Sequence, residues 1–173
     1  VDNMSGDRPG PKPIVYENLN RETLAEMILR MSRRRREYSI GVFTPTLNAQ
    51  KRILDQLNRL ADRNESYKDV KIQFYSSREN RTQAANTRLN WRDPGIKLVQ
   101  YNSAKGVEFD SVFMPELDSL PGDMGNPQEP TTARKFYMAV TRAREQLLLS
   151  YSGSGRPNIM KLFPEEFVEV GQV

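Results

Sequence analysis

The strongest constraint on this chain is an alternation of two hydrophobic periods along its length. Ser39 to Phe43 is a near-continuous apolar run, the pattern of a strand buried on both faces of a parallel sheet. Asn48 to Asp62 follows with Ile53, Leu57 and Leu60 at helical spacing. The same pair occurs upstream, where Pro13 to Glu17 reads as a short strand and Asn20 to Arg34 as a helix carrying Leu24, Ile28 and Met31, with Asn20 as its N-cap. Val70 to Tyr75, Ile96 to Tyr101, Ser111 to Met114 and Gln146 to Tyr151 are further strands, and Thr132 to Ala143 is a helix before the last of them. Strands that alternate with helices predict crossover connections, and so a three-layer α/β fold whose mostly parallel sheet is flanked by helices. A chain of 173 residues is most simply one domain. We assign it to residues 13–173, behind a Gly- and Pro-rich stretch, 1–12, expected to be a linker or disordered.

Composition narrows the classes. The longest apolar runs fall well short of the roughly 20 residues of a membrane helix, and the N-terminal residues lack the basic and apolar regions of a signal peptide. With no cysteine there is no disulfide framework and no thiolate chemistry, which fits a cytoplasmic location. A net charge of +4 favours a polyanionic partner. The Arg33 to Arg36 run has two readings: cations complementing the end of a helix, or a phosphate-binding patch. Pro115 to Pro130, with Pro121, Pro127, Gly122 and Gly125, is expected to be irregular. Ser76 to Gly95 is charged, amide-rich and weakly patterned.

Two stretches carry the chemistry. Asn102 to Asp110 reads Asn-Ser-Ala-Lys-Gly-Val-Glu-Phe-Asp, and Arg134 to Arg144 reads Arg-Lys-Phe-Tyr-Met-Ala-Val-Thr-Arg-Ala-Arg. Each follows a strand-like run or opens a helix-like one, so both are expected on the rim of the sheet where α/β proteins bind nucleotides. Ser103 to Phe109 and Tyr137 to Ala143 resemble, in order, the fifth and sixth motifs of the UvrD/Rep type of superfamily 1 helicases. A complete motor also needs a phosphate loop ending in Gly-Lys-Ser/Thr and an acidic strand end for magnesium. No glycine here is followed by lysine, and no Asp-Glu pair occurs. The chain therefore resembles the second, C-terminal RecA-like domain of such a motor, lacking its own phosphate loop.

The resemblance implies roles. Arg142 stands at the arginine-finger position, where a permanently charged planar fork stabilises charge on the γ-phosphoryl oxygens of ATP. Gly106 permits a tight turn or close approach to a ligand, Lys105 offers a point charge for phosphate, and Glu108 can accept from ribose hydroxyls. Asn102, Ser103 and Lys105 form the loop expected to face nucleic acid. The implied cofactor is ATP with Mg2+, the metal held by the N-terminal RecA-like domain of the parent chain. That domain and single-stranded or duplex DNA are the implied partners. Phe136, Tyr137, Met138 and Val140 are read as packing on one helix face, and Arg134 and Arg144 as solvated or paired with acidic groups. Phe74, Tyr75, Trp91 and Tyr101 are candidate base-stacking platforms or core caps; Trp91, in a polar segment, has the best claim to exposure.

Departures keep alternatives open. Ile40 to Phe43 followed by Asn48-Ala49-Gln50 resembles the fourth motif, but Thr46 stands where the family has an arginine that gives a second γ-phosphate contact. Arg52, about one helical turn on, is a possible substitute. The family's histidine in the fifth motif is Asn102 and its threonine Gln100, and Ser76 to Gly95 replaces a large helical insertion. The HelD family shares these motor motifs but uses ATP to remodel RNA polymerase. A noncatalytic interaction module on a degenerate helicase fold is a third reading. The acidic C-terminus, Glu165, Glu166 and Glu169 among Phe163, Phe167 and Val168, is expected to pack its apolar side and solvate its carboxylates.

Overall fold

A computed structural model describes residues 10–75, 91, 93–101, 103 and 106–173. Among them, seven strands form one sheet and three α-helices cover it. The strands are β1 (Ile14–Tyr16), β2 (Ser39–Thr44), β3 (Ile72–Phe74), β4 (Gly95–Gln100), β5 (Phe109–Met114), β6 (Ala143–Ser150) and β7 (Glu169–Val170). The helices are α1 (Arg21–Arg34), α2 (Leu47–Arg63) and α3 (Pro130–Val140). Sheet order is β3-β4-β2-β5-β6-β1-β7, with every pairing parallel. This is the expected RecA-like architecture, and the parallel geometry gives the sheet two distinct edges: one where strands begin, one where they end.

The sequence pattern explains the layers. In β2, Ile40 and Val42 point toward α1 and α2 and pack with Leu24, Ile28, Ile53 and Leu57. Phe43 points the other way, into a cluster with Val99, Phe109, Val112, Phe136 and Leu149. Alternate residues of one strand thus serve two cores, which is why all six positions of β2 are buried. α1 begins where expected, with Asn20 accepting from the Thr23 N–H at 2.7 Å. α2 is capped the same way: Thr46 Oγ1 accepts from the Ala49 N–H at 3.1 Å. Further along α2, buried Gln50 donates to the carbonyls of Tyr75 and Leu98, each at 2.9 Å, tying the helix to β4 and to the residue after β3.

Several expectations need correction. α3 stops at Val140, and Ala143, assigned to helix, is the first residue of β6, three residues before the predicted start. On α3 it is Thr132, Phe136 and Ala139 that are buried, while Tyr137 is 40% exposed. Trp91 is not an exposed platform: its ring packs against Tyr75 and Phe109 at centroid distances of 5.5 and 6.1 Å. Tyr101 takes the core-cap reading, buried against Phe136. The Pro115 to Pro130 connection contains two 3₁₀ turns, Leu117–Ser119 and Gly122–Gly125, the first seated in the core through Leu117. At the C-terminus Phe163 is buried as expected but Phe167 is 63% exposed, and the chain adds an edge strand, β7, beside β1.

Candidate functional site

The amino-terminal ends of β5 and β6 hold the two named residues that the fold brings together. The Phe109 N–H donates to the Arg142 carbonyl at 2.8 Å, and Phe109 pairs with Ala143. Glu108 and Arg142, each one residue before those partners, therefore sit side by side at the same edge. Glu108 is exposed and Arg142 half-buried. The backbone leaves α3 through hydrogen bonds from Thr141 N–H to Tyr137 O and from Arg142 N–H to Ala139 O, each 3.1 Å. The Arg142 side chain folds back so that Nε donates to the Met138 carbonyl at 3.2 Å. A cation here complements the negative end of α3, and one Nε bond leaves the two terminal nitrogens for another acceptor.

β6 carries an irregularity beside this pair. Phe109 faces Ala143 but Ser111 faces Gln146, so Arg144 and Glu145 bulge opposite Asp110. Arg144 Nη2 donates to Asp110 Oδ1 at 2.5 Å, while Asp110 Oδ2 accepts the Ser39 N–H at 2.8 Å. The Asp110 bond raises the Arg144 pKa above its ordinary value, with nearby Glu108 and Glu145 reinforcing it. Glu145 accepts from the Tyr38 hydroxyl, which raises the phenol's pKa, and Arg35 lies 5.2 Å from the centre of the Tyr38 ring. Next to Ser39, the Lys97 ammonium is fully enclosed. It donates to Ser39 Oγ at 3.2 Å and to the Asp93 carbonyl, and burial pulls its pKa down to about 8. These ties join β2, β4, β5 and β6 at their amino ends.

The other named residues lie elsewhere. Ser103, in a turn with its N–H on the Gln100 carbonyl at 2.9 Å, follows the carboxyl end of β4. Gly106 has φ +80° with nothing within 4 Å of where a Cβ would stand, so its backbone is open to approach. Asn102 and Lys105 lie outside the described residues, as do residues 1–9 of the assigned linker and 76–90 of the short segment. Thr46 and Arg52 belong to the carboxyl edge, across a six-residue strand from the amino edge, a distance of about 20 Å at roughly 3.3 Å per residue. There Arg52 Nη2 lies 4.0 Å from Glu116 Oε2, and Arg21 Nε donates to Glu116 Oε1 at 2.8 Å. Arg52 is thus placed beside Glu116, at the edge opposite Arg142. Among the described residues no cluster of His, Cys, Asp or Glu could hold a metal ion, and no helix is long and apolar enough to cross a membrane.

Sequence reasoning singled out neither Asp110, Ser39, Lys97 nor Glu145. The ties that join them across strands span long stretches of chain, 71 residues for Ser39 and Asp110, 58 for Lys97 and Ser39 and 107 for Tyr38 and Glu145, where no local pattern signals pairing.

The parallel sheet, its two core layers and this edge define a RecA-like domain. In sequence, residues 81–154 match the family described as UvrD-like helicase C-terminal domain. In structure, the chain is similar to the C-terminal domain of a possible DNA helicase from Lactobacillus plantarum WCFS1, with a TM-score of 0.64 at 19% identity, covering 99% of this chain and 92% of that one. None of the curated proteins matches. The sequence match to the UvrD-like helicase C-terminal domain family is confined to residues 81–154, and the likeness in fold extends over the length of the chain.

Proposed function

We propose that this domain is the second half of a superfamily 1 ATP-dependent DNA helicase or translocase motor, with Arg142 as its arginine finger. The observation that supports it most is the placement of Arg142: tethered through Nε, fixed at the amino edge by the Phe109–Arg142 backbone bond, and adjacent to exposed Glu108. The residues fit half of a nucleotide site. Arg142 would meet the γ-phosphate with its two remaining nitrogens, Glu108 would accept from the ribose, and Gly106 presents backbone with no side chain in the way. ATP with Mg2+, held chiefly by an N-terminal RecA-like domain, supplies the hydrolysable phosphoanhydride. The neighbouring Asp110–Arg144 pair keeps a second guanidinium occupied, so one arginine, not two, is left to reach across. The nucleic-acid contact falls to Ser103 in its turn, with Asn102 and Lys105 as its neighbours in sequence, and single-stranded DNA is the proposed track. Domain closure assembles the site and hydrolysis reopens it.

The test is the ATPase rate of the full-length parent, wild type beside Arg142→Ala, with and without single-stranded DNA. The expected result is DNA-stimulated hydrolysis that the substitution lowers by about three to five orders of magnitude, and no hydrolysis by the isolated domain. Hydrolysis by the parent that survives Arg142→Ala would refute the finger. Arginine-dependent hydrolysis indifferent to DNA would move the reading to a HelD-like remodeller of RNA polymerase.

A further inference from the structure

The Arg33 to Arg36 run divides in the fold. Arg34 is exposed at the end of α1, and Arg35 lies over the ring of Tyr38. Arg33 and Arg36 instead line a cavity of about 190 Å³ between the end of α1, the turn Glu65–Tyr67 and the starts of β3 and β4. Ser32, Ser66, Asp69 and Lys71 complete its polar wall. It is separate from the Arg142 edge pair. Its strand, β4, lies three positions from β6 in the sheet, about 14 Å at the usual strand spacing.

Three cations line this space against one lining carboxylate, Asp69, with Asp93 beside it on Lys71. The Arg33 guanidinium is held in place, Nη1 donating to Ser66 Oγ at 2.9 Å and its carbon 5.2 Å from the Tyr67 ring centre, yet it makes no ion pair among the described residues. Arg36 has neither a hydrogen-bond nor an ion-pair partner among them. Lys71 reaches Asp93 only at 3.5 Å, with both side chains about half exposed, 53% and 43%. An exposed contact of that length holds its partners weakly. The backbone of Lys71 is nonetheless fixed, because its carbonyl accepts the Ile96 N–H at 2.9 Å. It also lies so close to Gly95, whose φ is +116°, that a Cβ there would come within 2.9 Å of the carbonyl oxygen. Like charges gathered round one hollow repel, and the carboxyl end of α1 offsets only about half a charge. An anion seated in the hollow would relieve the repulsion that is left. The volume accommodates on the order of six waters at roughly 30 Å³ each, enough for a phosphate or a pyrophosphate, whose oxygens match guanidinium forks, an ammonium and two hydroxyls.

We propose that this cavity is a phosphate-binding site, formed by Arg33, Arg36 and Lys71 and independent of any role of Arg142. The phosphate comes either from a free phosphate compound or from a nucleic-acid backbone. Titration of the 173-residue chain with inorganic pyrophosphate, and separately with a short oligothymidine, tests the site and separates the sources. The variant Arg36→Gln/Lys71→Gln removes two exposed cations without disturbing the core; Arg33→Gln is a second variant, since its loss also frees the Tyr67 ring. The expected result is at least tenfold weaker binding of one or both probes by the double variant, with an unchanged melting temperature. Oligothymidine binding that is both tighter than pyrophosphate and lost with these charges assigns the backbone as source; sensitivity confined to pyrophosphate assigns a free phosphate compound. If neither probe's affinity falls in either variant, or neither binds the wild type, the proposal is overturned.

Discussion

Between pH 8 and pH 10.5 the folded chain should gain stability relative to a Lys97→Met variant. The Lys97 ammonium is fully enclosed, with Asp93, Lys71 and Asp110 as the charged groups around it, and desolvation lowers its pKa from 10.5 to about 8. In that window the unfolded chain binds more protons than the folded one, so the free energy of unfolding rises with pH. The penalty for burying the charge is fully present below about pH 8 and gone above the unfolded pKa. At 1.36 kcal/mol per unit, 10.5 less about 8 gives an upper bound of about 3.4 kcal/mol. Asp93 is half-exposed and brings solvent near the ammonium, so about 1–2 kcal/mol is the expected change. Methionine has no such titration, although it forfeits the bonds to Ser39 and Asp93. The difference in slope, not the absolute stability, is therefore the readout, and it cancels the ionisation of tyrosines common to both proteins. Urea unfolding of both proteins at pH 7, 8, 9 and 10 measures it. Parallel stability–pH curves, within a few tenths of a kcal/mol, would refute the argument and show that Lys97 is solvated in the folded state.

Two further substitutions probe the core and the sheet. The Tyr101 hydroxyl is buried without a hydrogen-bond partner among the described residues, and burial raises its pKa; Tyr101→Phe should leave stability unchanged or raise it by about 1 kcal/mol, and a loss of that size in thermal unfolding would mean that the hydroxyl has a partner. Gly95→Ala should cost roughly 2–3 kcal/mol by chemical denaturation, since a β-carbon meets the Lys71 carbonyl oxygen at 2.9 Å and the backbone sits at φ +116°; a cost below about 0.5 kcal/mol would show that the strand start relaxes freely.

The layers were legible because each was written in a local period. Ile40, Val42 and Phe43 announced a strand buried on both sides, and Ile53 and Leu57 a helix with one buried face. Asn20 signalled the start of α1 by its own chemistry. Thr46 had the same signal, an N-cap residue before a helical run, but comparison with an arginine drew attention to what it lacked and away from what it does. The edge of the sheet at which Glu108 and Arg142 stand was not legible. Nucleotide sites of open parallel sheets are expected at the carboxyl edge, whereas Glu108 and Arg142 stand where β5 and β6 begin. The outward turn of Tyr137 was missed because α3 is short and ends into β6, so its buried stripe runs through Thr132, Phe136 and Ala139 only.

The distribution of carboxylates separates the two edges. At the carboxyl edge Glu116, held at φ +56°, approaches both Arg21 and Arg52, and Asp118 accepts from Ser152 and Gly153. A non-glycine residue is kept in that left-handed conformation only where its surroundings favour it, and here the benefit is a half-buried carboxylate placed between two guanidiniums. Both cations are thereby provided for within the domain. At the amino edge Asp110 neutralises Arg144 alone, while Arg142 binds a carbonyl and Arg33 a hydroxyl, neither with a carboxylate partner among the described residues. Neutral acceptors orient a guanidinium without cancelling its charge. Positive charge that is oriented but not neutralised is what an incoming anion requires, because the side-chain entropy has already been lost before the anion arrives. On that ground the proposed ATP contact of Arg142 and the proposed phosphate site at Arg33 both rest on the amino edge, where the oriented guanidiniums lack carboxylate partners among the described residues.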